Sequence, residues 1–152
     1  VIVGGSPYDR YDDHLMEHWG KWLIKLPKHP YAQMPDIVAA AHVLVVPQRD
    51  TPAAKAQFPL TLTDGMAMAK PILATKVGDI PDILGDQGYL VDPESPEQIA
   101  EKLAHILQDM EAAHQQGQRA RARCLANYGI ESMAMCLQNI LIEVSQSAEP
   151  TS

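Results

Sequence analysis

The chain has 152 residues, 46% of them hydrophobic, and a formal net charge of −7, enough for about one domain with its own core. The negative balance argues against non-specific binding to nucleic acid or to an anionic membrane, both of which need a positive field. No run approaches the roughly 18 to 20 apolar residues that span a bilayer, and no basic segment precedes an apolar one, so no transmembrane segment is expected and cytoplasmic is the default location.

In chain order, "VIV" (1–3) reads as a strand that runs into the glycine turn "VGGSP" (3–7). Gly4 and Gly5 do not make a G-x-G-x-x-G fingerprint, and Pro7 blocks an immediate amide cradle. They suit a strand end where a ligand approaches the backbone closely. A chain that opens on a strand, with no initiator Met or polar lead-in, is expected to be a fragment of a longer protein. A helix follows over "YDDHLMEHWGKW" (11–22). Its "HLMEH" (14–18) matches H-x-x-E-H, a zinc-peptidase pattern with His14 and His18 one helical turn apart. A third ligand would have to come from elsewhere, and the helix is rich in Asp12, Asp13 and Glu17, so no metal is expected.

"WLIKL" (22–26) is the second strand, "MPDIVAAAH" (34–42) a helix with Pro35 near its start, and "HVLVVP" (42–47) the third strand. The loop "QRDTPAAKAQFP" is long, and its Arg49 and Lys55 read as solvated. "LTLTDGMAMA" (60–69) is a helix closed by Pro71, "PILAT" (71–75) a strand, "DIPDILG" a short helix stopped by Gly85, and "YLV" (89–91) the fifth strand. "DPESPEQIAEKLAHILQDM" is the clearest helix, with Ser95 and Gln98 as a capping box around Pro96. Next come "QGQRARARCLANYG", whose Arg119, Arg121 and Arg123 diverge around the helix as a solvated surface, and "IESMAMCLQNILIEV". In the latter Met133, Leu137, Ile140, Leu141 and Val144 share a face, as expected for a helix packed on the body or on a neighbouring domain. Cys124 and Cys136 lack metal-ligand spacing and read as free thiols. One domain over 1–146 and a disordered tail over 147–152 complete the reading.

Adjacent apolar residues within the strand runs fit strands covered on both faces. The alternation βαβαβαβαβ then predicts an α/β fold: a three-layer, Rossmann-like, doubly wound parallel sheet of about five strands, with C-terminal helices added. In such sheets ligands bind beyond the carboxyl ends of the strands. That directs attention to "AQFPLTLTDGMAMAKP" (56–71). The first turn of its helix, about Leu60 to Leu62, offers unpaired N–H groups that favour an anion. Asp64 lies one turn further in, where a carboxylate can accept hydrogen bonds from a ribose diol. The other reading is that Asp64 complements the positive end of its helix, worth roughly 0.3 to 1 kcal/mol. The residues alone leave both open.

The segment from "VLVVPQ" through "AQFPL", "TLTDGMAMAKPILATKVGDIPDIL" and "GYLVDPESPEQIAEKL" resembles the C-terminal, donor-binding domain of GT-B glycosyltransferases, specifically glycosyltransferase family 4. That family's pattern runs from a strand ending in Pro-Ser through E-G-F-G/P-L to x-x-E-A-M-A-x-G-x-P-V-V-A-T and V-G-G-I-P-E-I. The match is close over roughly residues 42–107. It implies a retaining, metal-independent, hexosyltransferase-like enzyme that takes a nucleoside-diphosphate sugar as co-substrate and needs no cofactor. The acceptor would be a glycan, lipid or small molecule, bound by an N-terminal domain that would precede this chain and through which the protein would sit peripherally on a membrane.

The family places two glutamates eight positions apart, one on the donor sugar and one on the ribose. By resemblance Asp64 stands at the ribose position, shortened, and Ala56 at the sugar position, where the carboxylate is absent. Gln57, Phe58 and Pro59 would line the sugar pocket, the amides of Leu60 and Thr61 would meet the diphosphate, and Lys25, Leu26 and Pro27 would border the base. The family's first strand, with its G-R…K-G element, is not in the chain. Its loss is expected to bring "VIV" beside "HVLVV", closing the sheet in the order 2-1-3-4-5. A fragment of this kind is expected to be inactive alone. The alternative reading is a GT-B-like binding or scaffolding module that has lost donor chemistry. A flavodoxin-like domain fits less well, because no acidic pair or phosphate loop follows the first strand.

Overall fold

The computed structural model describes residues 1–3 and 11–147; Gly4, Gly5 and the tail beyond 147 lie outside them. The chain divides into two compact units, Val1–Ile37 and Val38–Ser152.

In the first unit, β1 (Ile2–Val3) and β2 (Lys25–Leu26) pair in parallel, Ile2 with Lys25 and Val3 with Leu26. Between them runs α1 (Tyr11–Trp19), with Asp12 and Asp13 in its first turn, where the positive end of the helix dipole favours a carboxylate. Its side chains are exposed or half-buried, and none of residues 11–37 is fully buried. A 3-10 turn (Tyr31–Gln33) leads into α2 (Met34–Ala39), which carries the chain into the second unit.

The second unit holds a parallel sheet of β3 (Leu44–Val46), β4 (Ile72–Thr75) and β5 (Tyr89–Val91), in that order. Val45 faces Leu73 across one ladder and Ala74 faces Leu90 across the other. All four residues of β4 are buried, as its run of adjacent apolar residues demands of a central strand covered on both sides. Ile72 and Ala74 join Leu62, Met66, Ile80, Ile83, Leu84 and Ala120 in one core cluster. Leu73 joins Val91, Ile106 and Ala113 in the other. Alternate side chains of one strand thus feed two cores.

The helices of this unit are α3 (Pro52–Lys55), α4 (Leu60–Ala67), α5 (Ile80–Leu84), α6 (Pro96–Gln108), α7 (Met110–Tyr128) and α8 (Ile130–Ser147). Helix α7 starts earlier than its arginine-rich stretch suggests, because the Asp109 carboxylate accepts from the Ala112 N–H at 2.9 Å and caps it. Gly85 ends α5 at φ +60, a left-handed geometry that glycine adopts without Cβ strain.

Several expectations need correction. Among the described residues the strands form two separate sheets, β1-β2 and β3-β4-β5, not one closed sheet in the order 2-1-3-4-5. The Ser95–Gln98 capping box is also absent. The Ser95 side chain makes no cap bond; Gln98 instead reaches back to Asp92, accepting from its N–H at 3.0 Å and donating to its carboxylate at 3.1 Å. The apolar face of α8 is open: Met133, Leu137, Ile140, Leu141 and Val144 are each at least half exposed. Ser147, read as the first residue of the tail, belongs to α8.

Candidate functional site

The long loop after β3 is built, not slack. Thr75, buried at the carboxyl end of β4, donates its hydroxyl to the Gln48 carbonyl at 2.8 Å and so fastens the loop's first residues to the sheet. Thr51 then caps α3, its Oγ1 accepting from the Ala54 N–H at 3.2 Å with Pro52 following at the first helical position. Lys55 pairs with Asp50 at 2.7 Å. Gly78, in the turn after β4, has φ +54, and a Cβ there would lie 3.2 Å from the Lys55 backbone. The two loops beyond the carboxyl ends of β3 and β4 therefore pack backbone to backbone. Sequence reasoning missed α3 and this seat; a Thr-Pro step and a glycine just past a strand were its only traces.

The chain next turns through Gln57, Phe58 and Pro59 into α4. Pro59 is buried and stands at the N-cap, while Gln57 and Phe58 are exposed; the Phe58 ring lies 6.2 Å from that of Tyr128. The Leu60 N–H donates to the Phe58 carbonyl at 3.0 Å and the Leu62 N–H to the Pro59 carbonyl at 2.9 Å. Of the three amides expected to be open, these two thus have backbone partners. The Thr61 N–H has none among the described residues. Asp64 is half-buried and sits one full turn inside α4, whose first turn has no acidic residue. The helix-dipole effect falls off within the first turn, so the dipole account of Asp64 loses ground.

Ala56 is exposed at the end of α3. Behind the site, Cys124 of α7 lies with its sulfur 3.6 Å from the Thr63 carbonyl. Burial first, and the Asp64 charge second, push its thiol above the usual range, which keeps it in the neutral form.

The other expected site residues fall elsewhere. Lys25, Leu26 and Pro27 belong to the first unit, where Lys25 pairs with Asp12 at 3.4 Å and Asp13 at 3.5 Å. Gly4 and Gly5 lie outside the described residues. The arginines read as a solvated surface each have a carbonyl partner: Arg123 donates to Ile83 and Asp82, Arg121 to Ala67, and Arg119 to the side chain of Gln87. Arg121 and Arg123 thereby satisfy orphan carbonyls at the ends of α4 and α5.

The second unit is thus a parallel α/β sheet with ordered loops beyond the carboxyl ends of its strands and an acid one turn into the helix that follows β3 and its loop. Among solved structures, the chain superimposes on sucrose-phosphate synthase from Thermosynechococcus elongatus with a TM-score of 0.82 at 23% identity, over 96% of this chain and 38% of that one. On Anabaena HepE in complex with UDP-glucose the TM-score is 0.74 at 17% identity, over 93% and 40%. In sequence it is 30% identical over 92 residues to N-acetyl-alpha-D-glucosaminyl L-malate synthase of Bacillus anthracis, covering 59% of this chain and 24% of that protein. The family model for glycosyl transferases group 1 matches residues 1–109. The chain belongs to that family, and it spans about a quarter of the length of that curated relative.

Proposed function

We propose that the chain is the donor-binding half of a retaining glycosyltransferase that moves a sugar from a nucleoside diphosphate to an acceptor. The observation that carries this reading is the placement of Asp64: half-buried, one turn inside α4, beyond the carboxyl ends of a parallel sheet, where ligands of such sheets bind and where its carboxylate would accept hydrogen bonds from a ribose diol. The open Thr61 amide, at the positive end of the helix one turn earlier, suits a phosphate oxygen. Gln57, Phe58 and Pro59 border the sugar side. The complex of HepE with UDP-glucose supports a nucleotide sugar as the ligand. Charge developing on the diphosphate would be met by fixed amides in a water-poor cleft, completed by an acceptor-binding domain.

Calorimetric titration of UDP, GDP and their sugars into the full-length protein tests this. Asp64→Ala is expected to weaken binding by about tenfold or more, as loss of hydrogen bonds to a charged group of roughly 1.5 to 3 kcal/mol implies. Unchanged affinity would remove the ribose role. A second reading, a binding module without donor chemistry, is favoured by one observation: an exposed alanine at position 56, where the family places its sugar-side carboxylate. That reading is supported if no nucleotide sugar binds at millimolar concentration.

A further inference from the structure

The H-x-x-E-H stretch of α1 has no part in donor binding, yet the fold brings its three polar side chains together. His14, Glu17 and His18 each offer a ligand atom, and these atoms lie within 4.8 Å of one another. The His18 Nδ1 is 3.0 Å from the His14 carbonyl. A carbonyl oxygen only accepts, so Nδ1 carries the proton and the lone pair of His18 is on Nε2. This is the arrangement found in metal-ligating histidines, whose second ring nitrogen is held by a carbonyl or carboxylate. The His14 and His18 ring centroids are 4.3 Å apart.

Ligand atoms of a tetrahedral zinc ion with bonds of about 2.0 to 2.2 Å stand about 3.3 to 3.6 Å apart. All three side chains are exposed, so a small rotation closes the difference without disturbing a core. The neighbouring carboxylates of Asp12 and Asp13 face Lys25, which leaves Glu17 as the acid beside the imidazoles.

We propose that this face of α1 is a binding site for one borderline divalent transition-metal ion, held by His14, Glu17 and His18 with solvent completing the shell. Two imidazoles and one carboxylate select zinc, nickel or copper over magnesium or calcium, which prefer oxygen ligands. The ion would clamp two successive turns of a helix that has no fully buried residue, so that binding energy becomes helix stability.

The experiment uses the intact protein. Zinc titrated by calorimetry is expected to bind with one-to-one stoichiometry, and His14→Asn or His18→Asn to weaken it by tenfold or more. Magnesium in large excess should not compete. Substoichiometric nickel is expected to broaden the ring signals of His14 and His18 before those of the other four among the six histidines. The nickel measurement is made on the unaltered protein and so holds even if a variant folds poorly. Equal broadening of all six, zinc binding unchanged in the His14→Asn/His18→Asn double variant, or displacement by magnesium would overturn the proposal.

Discussion

Asp92, just past β5, shows how one side chain can tie a strand end to the following helix. Lys76 donates to its carboxylate at 2.8 Å and the Gln98 amide at 3.1 Å, and these hydrogen bonds, that from Lys76 first, hold the carboxyl below the usual aspartate range. A depressed folded value means that the contribution is present above the unfolded value of about 3.9 and is lost as pH falls through the folded one. An NMR titration of the Asp92 carboxyl carbon is therefore expected to give a midpoint below about 3.9, moving upward in Lys76→Met; a midpoint at or above the ordinary value would contradict the network. Residue by residue, legibility follows locality. Asp64 was readable because its place in α4 depends on a few neighbouring residues. Arg121 and Arg123 were not: their carbonyl partners are 54 and 40 or 41 positions away, and helical periodicity describes only a residue's own helix.

At the scale of elements, α7 and α4 meet through a glycine. A Cβ on Gly117 would clash with the Ala69 carbonyl oxygen and lie 2.9 Å from backbone carbons of Ala69 and Lys70. Gly65, on α4, would meet side-chain atoms of Leu44 and the tip of Ile72. Backbone cannot turn aside as a leucine methyl can, so Gly117→Ala is expected to destabilise by about 1 to 3 kcal/mol despite its better helix propensity. Gly65→Ala is expected to cost less, and urea unfolding of the two variants measures the difference. If Gly117→Ala were neutral, α7 would not be seated on the end of α4 as described. Strand and helix identities were legible from the apolar runs and breakers, including Gly85 after α5. The capping at Ser95 was misread, because Gln98 had a stronger partner in Asp92, whose carboxylate also binds Lys76.

For the molecule as a whole, burial is uneven. The central strand β4 is wholly buried, whereas none of residues 11–37 is fully buried and the strands of the first unit are two residues long. Local opening costs least where little apolar surface is buried. Hydrogen exchange is thus expected to be slowest at Leu73 and Ala74 and faster by orders of magnitude at Val3 and Leu26; comparable protection would show that the first unit is held as firmly as the second. Among the described residues no helix is long and apolar enough to cross a membrane. The sequence by itself determined the alternation of strands and helices, the two-sided burial of β4 and membership of the family, because these depend on local periodicity and on motifs of adjacent residues. Only the tertiary structure decided that the strands of the described residues divide into two sheets, that Thr75 and Gly78 seat the loop before Asp64, and that Arg121 and Arg123 of α7 hold carbonyls of other helices. Those outcomes depend on which distant groups meet when loops close, a choice that spacing along the chain does not encode.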